Sequence, residues 1–462
     1  MDQKKLIKEI DQFWDTDIIP ALVDYIKIPN KSPSFDPDWE KNGYMYEALD
    51  LAVDWAEKHK PSGSKITVHK PPGKTPLILL EIPGKKSGNV LMYGHLDKQP
   101  EMEGWDPGLS PWTPVIKDDK LYGRGGADDG YAMFASIASI NALIEQGINL
   151  PNIVILIEFC EESGSPDLPF YIEKCKNEIG SPDLVICLDS GAGDYKRFWS
   201  STSLRGLIGL SLRVDGLKEG IHSGASGFIP STFRVMRQLL SRIENEETGE
   251  IIIGELTTEI PHHRVEEAKK LISILGESKI ENSFFSPSTS DPVEACLRMT
   301  WRPALSVVGS EGMPTLQNAG NVLRPFTSLK LSIRIPPLVD QFKAQEAIKK
   351  ALLKNPPYGA KITLDFDEPA AGWNAPKVKD WLATSIESAS KICFGESAGS
   401  IGEGGTIPFM AMLGEQFPEA QFIITGVLGP NSNAHGPNEF LHIPYAKRLT
   451  SSIALIIKDF RI

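Results

Sequence analysis

Four short apolar runs constrain this chain more than any other feature: "TPLILLEIPG", "NVLMYGHLD", "NIVILIEF" and "DLVICLD", all within residues 75–189. Each is too short to cross a membrane and lacks the polar alternation of a half-exposed strand. Each therefore predicts a strand covered on both faces. Helical patterns separate them. A helix with charged faces covers about residues 40–60, and "GYAMFASIASINALIEQG" predicts a helix rich in Ala, Met and Ile, with Gly147 at its C-terminal cap. Strands and helices alternating in this way build a layered α/β domain.

The middle of the chain has a different rhythm. "RGLIGLSLRVDG" alternates like a strand with one solvated face, and "STFRVMRQLLSRIEN" predicts an amphipathic helix. Strands follow at "PALSVVGS" and "SLKLSIRIPP", then a helix at "DQFKAQEAIKKALLKN" and a strand at "AKITLDF". The order β-α-β-β-α-β is that of a split βαβ, or ferredoxin-like, sandwich. Residues 245–300, with "PHHRVEEAKKLISIL", form an insertion outside that pattern, and His262 and His263 read as surface residues. After Trp373 the helix "APKVKDWLATSIESASKI" and the strand "AQFIITGVLG" return to the earlier style. The expected organisation is a catalytic domain from residues 1–202 and 369–462, interrupted by a smaller domain at 203–368.

Composition removes several function classes. With 462 residues, 41% of them hydrophobic, the chain has material for about two or three domains. A net charge of −12, from 60 acidic and 48 basic residues, argues against nonspecific nucleic-acid binding, which needs basic patches to neutralise phosphates. The charged amphipathic N-terminus has no signal-type apolar block, and no run approaches the ~20 apolar residues of a membrane span. Five cysteines without a CxxC pair read as reduced core thiols. A cytoplasmic protein with no membrane partner is the expectation.

Acids and histidines recur at the ends of the buried runs. "LMYGHLD" puts His95 and Asp97 two residues apart, on one side of a strand. "GRGGADDG" presents Asp128 and Asp129 before a helix, "EFCEE" gives Glu161 and Glu162, "VICLDS" gives Asp189, and "SNAHGPNE" gives His435. Taken singly, an Asp before a helix is a cap and a strand-end His is a hydrogen-bonded surface residue. Five such places in one chain are harder to explain as caps. Imidazole with carboxylates suits zinc, and also manganese or cobalt. Two ions roughly 3.5–4 Å apart need a shared anionic bridge. Consecutive side chains on a strand diverge, so one glutamate of the Glu161–Glu162 pair can bind metal while the other faces the attacking water as general base.

In chain order, "GHLD", "WDPGLSPWTPVIKDDKLYGRGGADDG", "EESGS", "LDSG", "IHSGASG", "NVLRP", "SIRIPP", "GEGGTIP" and "AHGPNE" resemble the M20 metallopeptidases, most closely the carnosinase-like dipeptidase branch. The resemblance covers nearly the whole chain. It implies a layered α/β dinuclear-metal catalytic domain with an inserted ferredoxin-like lid and dimerisation domain, two divalent ions with zinc first, and a homodimer paired through the insert. It implies that His95 and Asp189 hold one metal, Glu162 and His435 the other, and that Asp128 bridges them. Asp97 would fix the tautomer of His95, with Asp129 supporting the loop. Glu161 would take the proton of the attacking water and pass it to the leaving amine. His222 would polarise the scissile carbonyl. Arg334 would bind the substrate's terminal carboxylate, and Asn321, Gly404, Gly405 and Thr406 would cradle the substrate.

Two positions depart from the dipeptidase pattern: Gly130 stands where a lysine is frequent, and Gly402 where an arginine is common. The implied activity is hydrolysis of dipeptides or short peptides with a free C-terminal carboxylate. Hydrolysis of N-acyl or carbamoyl amino acids uses the same machinery. An inactive dimeric scaffold would have lost a ligand or the base, and none is missing. A nucleotide-binding reading of "GRGGADDG" fails because its carboxylates would repel a pyrophosphate.

Overall fold

The computed structural model describes residues 1–277 and 284–462. Part of the 245–300 insertion therefore lies outside the described residues. The chain divides into two compact units, one from residues 1–202, 375–401 and 412–462, the other from 203–374 and 402–411. The short return at 402–411 differs from the sequence expectation, which gave those residues to the ends of the chain.

In the first unit the strands run in the order Lys65–His69, Leu77–Ile82, Asn152–Glu158, Asn89–His95, Leu184–Cys187, Gln421–Ile424. The chain leaves the unit along Trp199–Leu204, which follows in that order. Nearly every residue of Asn89–His95, Asn152–Glu158 and Leu184–Cys187 is buried, as continuous apolar runs require. These three strands are parallel neighbours. His95 pairs in register with Glu158, and Tyr93 with Cys187. Their C-terminal ends thus lie side by side, which is where open α/β sheets carry their ligands. The helix Ala132–Glu145 is buried over most of its surface. It ends as predicted at Gly147, whose φ of +71° allows Ile148 N–H to bond Leu143 O at 3.0 Å and Gly147 N–H to bond Ile144 O at 2.8 Å.

In the second unit Ala304–Glu311, Phe326–Ile335, Gly206–Asp215 and Lys361–Phe366 form an antiparallel sheet in that spatial order. Buried and half-buried residues alternate strictly along Phe326–Ile335. The buried face, with Leu210, Leu212, Leu331 and Ile333, packs with Val235, Met236 and Leu239 of the helix Thr232–Leu240 and with Ala344, Ile348 and Leu352 of Gln341–Leu353. Within the insertion, His262–Leu275 and Pro292–Thr300 are helices, and His262 and His263 are exposed. Among the described residues no helix is long and apolar enough to cross a membrane. All five cysteines are free, four of them buried.

Candidate metal centre

Parallel strand ends bring the acids of the first unit together around two histidines. His95 closes its strand and is fully buried, with Nε2 lying 3.4 Å from Asp128 Oδ1, 3.8 Å from Asp189 Oδ2 and 3.9 Å from Glu161 Oε2. His435 Nε2 lies 3.0 Å from Asp128 Oδ2 and 3.4 Å from Glu162 Oε2. Asp128 therefore turns one oxygen to each histidine. Two groups of three, His95 with Asp128 and Asp189, and Asp128 with Glu162 and His435, each offer ligand atoms within 4.8 Å of one another.

The polar atoms of this cluster are poorly served by the protein itself. Both ring nitrogens of His95, Asp128 Oδ2, Asp129 Oδ1 and Glu162 Oε1 are buried without a hydrogen-bond partner among the described residues. The carboxylates stand at ion-pair distance from the imidazoles but outside hydrogen-bond geometry. Buried polar atoms left in that state are costly unless a ligand completes them. Nitrogen and oxygen donors in two trios sharing a carboxylate fit a pair of divalent cations.

Electrostatics agree. Burial raises the carboxyls of Glu161 and Glu162 well above their ordinary range, and Asp189 and Asp128 respectively push further in the same direction. Burial also lifts Asp189 to about 6. Burial acts to discharge His95, but the carboxylates of Asp128, Asp97 and Asp189 close around it prevail and raise its pKa. Asp128 is held low, because the two histidines outweigh its burial. The cluster keeps protons where cations would neutralise it.

Asp97 reaches two elements at once. Its Oδ1 lies 3.3 Å from His95 Nδ1, and its two oxygens accept the backbone N–H groups of Glu161 at 3.1 Å and Glu162 at 2.9 Å. The glutamates correct the sequence expectation in one respect. They sit on a single 3₁₀ turn, Glu161–Ser163, beyond the end of the strand. Side chains one residue apart on such a turn point about 120° apart, so the pair still separates, with Glu162 in a ligand trio and Glu161 beside His95. Asp129 accepts His95 N–H at 3.3 Å, a loop support, and the Asp128–Asp129 peptide is cis. Neither aspartate caps the following helix.

The remaining predicted residues lie in the second unit. His222, exposed, pairs with Val322 in a two-residue ladder, and Ser223 N–H bonds Asn321 O at 2.9 Å, so His222 and Asn321 are neighbours. His222 Nδ1 accepts Gly224 N–H at 3.0 Å. Arg334 donates to Thr406 Oγ1 at 3.0 Å and has no carboxylate at ion-pair distance among the described residues. Gly405 is exposed beside Thr406. Both departures from the dipeptidase pattern have a steric reason. A Cβ at Gly130 would meet Tyr25 Cε1 at 2.4 Å and Gly125 O at 2.5 Å, and one at Gly402 would meet Ser203 Oγ at 2.8 Å.

Sequence reading missed Gln99, which donates to Glu162 Oε2 at 2.5 Å, and the buried pair Arg124–Glu439. An arginine in a glycine-rich loop gives no local sign of a partner 315 residues away.

The sequence model of Peptidase family M20/M25/M40 matches residues 91–459. The Cys-Gly metallodipeptidase of Schizosaccharomyces pombe is 26% identical over 464 residues, covering 96% of this chain and 95% of its own length. The Beta-Ala-His dipeptidase of Homo sapiens is 26% identical over 399 residues, 84% of this chain and 77% of its own. The solved structure of the di-peptidase Dug1p from Saccharomyces cerevisiae matches with a TM-score of 0.77 at 22% identity, covering 99% of this chain and 98% of that one, a likeness of fold.

Proposed function

We propose, for a chain that belongs to Peptidase family M20/M25/M40, the metal-dependent hydrolysis of dipeptides or short peptides with a free C-terminal carboxylate. The chain is an M20-type peptidase, and the two relatives above are named as dipeptidases for Cys-Gly and Beta-Ala-His. The observation that carries the reading is Asp128, with one carboxylate oxygen toward each of two histidines.

In this reading His95 and Asp189 hold one cation, Glu162 and His435 the other, and Asp128 both, with zinc the first choice and manganese or cobalt alternatives. Bound there, the pair would lower the pKa of the attacking water and polarise the scissile carbonyl. Glu161 removes the water's proton and returns it to the leaving amine. Asp97 fixes the His95 ring and, through its grip on the Glu161 and Glu162 amides, the direction of the base. In neutral His222 the Gly224 bond occupies Nδ1, leaving the proton on Nε2, free to meet the oxyanion. Arg334, free of carboxylate partners among the described residues, takes the substrate's terminal carboxylate, with Asn321, Gly405 and Thr406 around the peptide.

The second unit is read as a ferredoxin-like lid that pairs two copies. Its edge strand Ala304–Glu311 exposes Val307 and Val308 at 51% and 63%, which suits pairing with another strand. Free cysteines suit a cytoplasmic enzyme.

The test strips the protein with a chelator, restores zinc, manganese or cobalt separately, and assays dipeptides beside N-acyl amino acids. Dipeptide hydrolysis returning with metal is expected. Turnover of acyl amino acids alone would leave the machinery standing and overturn the substrate, and no turnover with metal bound would overturn the activity.

A further inference from the structure

His435 is the ligand with the least support of its own. It stands on neither helix nor strand, its side chain is 56% exposed, and the other members of the two trios are 10% exposed or less. Its loop takes left-handed backbone at Asn431, Asn433, His435 and Asn438. These residue types enter that region more readily than most, so their own preferences permit this path without enforcing it, and a constraint has to select it. The constraint comes from beneath. Arg124 and Glu439 are both fully buried and form an ion pair. Arg124 also donates to Gly436 O at 2.7 Å, next to His435, and to Pro100 O at 3.1 Å, three residues past Asp97. Glu439 accepts Gly125 N–H at 2.9 Å, and its backbone O accepts Gly123 N–H at 3.0 Å, within the loop that carries Asp128. One buried pair therefore ties together the loops after His95, before Asp128 and around His435.

We propose that Arg124 and Glu439 are positioning residues that set the affinity of the His435 side of the centre for its cation. The inference rests on the two-metal reading above. Both act chiefly through His435, which belongs to one trio only, and neither touches the reacting atoms. Arginine is required at 124 because its planar fork serves Glu439, Gly436 O and Pro100 O together, whereas an ammonium cannot span all three.

The test is zinc titration of the chelator-stripped full chain by calorimetry, with bound metal counted by elemental analysis and folding followed by circular dichroism. Wild type should take two equivalents. Glu439→Gln and Arg124→Lys should stay folded, keep one equivalent at wild-type affinity, and bind the second about 10–100-fold more weakly. Two unchanged affinities in either folded variant would overturn the proposal. Loss of fold in both would also overturn it, since the pair would then be part of the core and not a tuner of one site. A wild-type chain binding fewer than two equivalents would refute the two-metal reading, and this proposal with it.

Discussion

At the scale of single residues, the proposed function gives binding and proton transfer to different side chains. Glu161 lies outside both ligand trios. Glu161→Gln should therefore lower kcat by roughly 10²–10⁴-fold while two metal equivalents remain bound, measured by steady-state assay and elemental analysis. Behind it, Glu158 is buried among the hydroxyls of Tyr93 at 2.6 Å and Ser165 at 2.9 Å and the thiol of Cys160 at 3.3 Å. Burial still lifts its carboxyl from 4.5 to about 7. A folded value above the unfolded one means that the stabilisation is full below pH 4.5 and lost as pH rises through 7. Between pH 4.5 and 8 the wild type should lose about 2–3 kcal/mol relative to Glu158→Gln, read from urea melts at each pH. Of the candidate ligands, His95, Glu162 and Asp189 were legible in sequence because each follows an apolar run ending at the sheet's C-terminal edge, whereas Asp128 and His435 stand in loops and took their roles from the family resemblance. Glu158 was not, because an acid inside such a run looks the same whether a partner waits for it or not.

At the scale of elements, strands were legible and turns were not. Period-two alternation marks Gly206–Asp215 and Phe326–Ile335, whereas the single turn Glu161–Ser163 is held by Asp97 from another part of the chain, and no local pattern encodes that. The edge strand Ala304–Glu311 gives this scale its prediction. Val308 is exposed, so Val308→Lys should leave the circular dichroism spectrum and melting temperature within error of wild type. If the proposed dimer pairs through this edge, the substitution should shift the sedimentation profile from dimer to monomer, since a charged edge resists pairing. A dimer unaffected by the substitution would place the contact between copies elsewhere.

At the scale of the whole molecule, the division into two units was readable from the change in hydrophobic rhythm near residue 203. The return of residues 402–411 to the second unit was not, because a ten-residue glycine-rich stretch carries no periodicity. Metal removal acts at this scale. A ligand bound to the native state at a hundred times its Kd adds about 2.7 kcal/mol of stability. Chelation should accordingly lower the melting temperature by several degrees, and stoichiometric zinc should restore it, in a calorimetric scan.

The raised carboxyls of the cluster also tie the filling of the site to the release of protons. Without cations, burial and the neighbouring acids raise the carboxyls of Glu161 and Glu162 well above their ordinary range and favour their protonated forms. Under the two-metal reading, a cation beside Glu162 would favour its carboxylate form and displace its proton. Loading the proposed centre with metal should therefore release protons, and its apparent affinity for cations should fall as the medium turns acid.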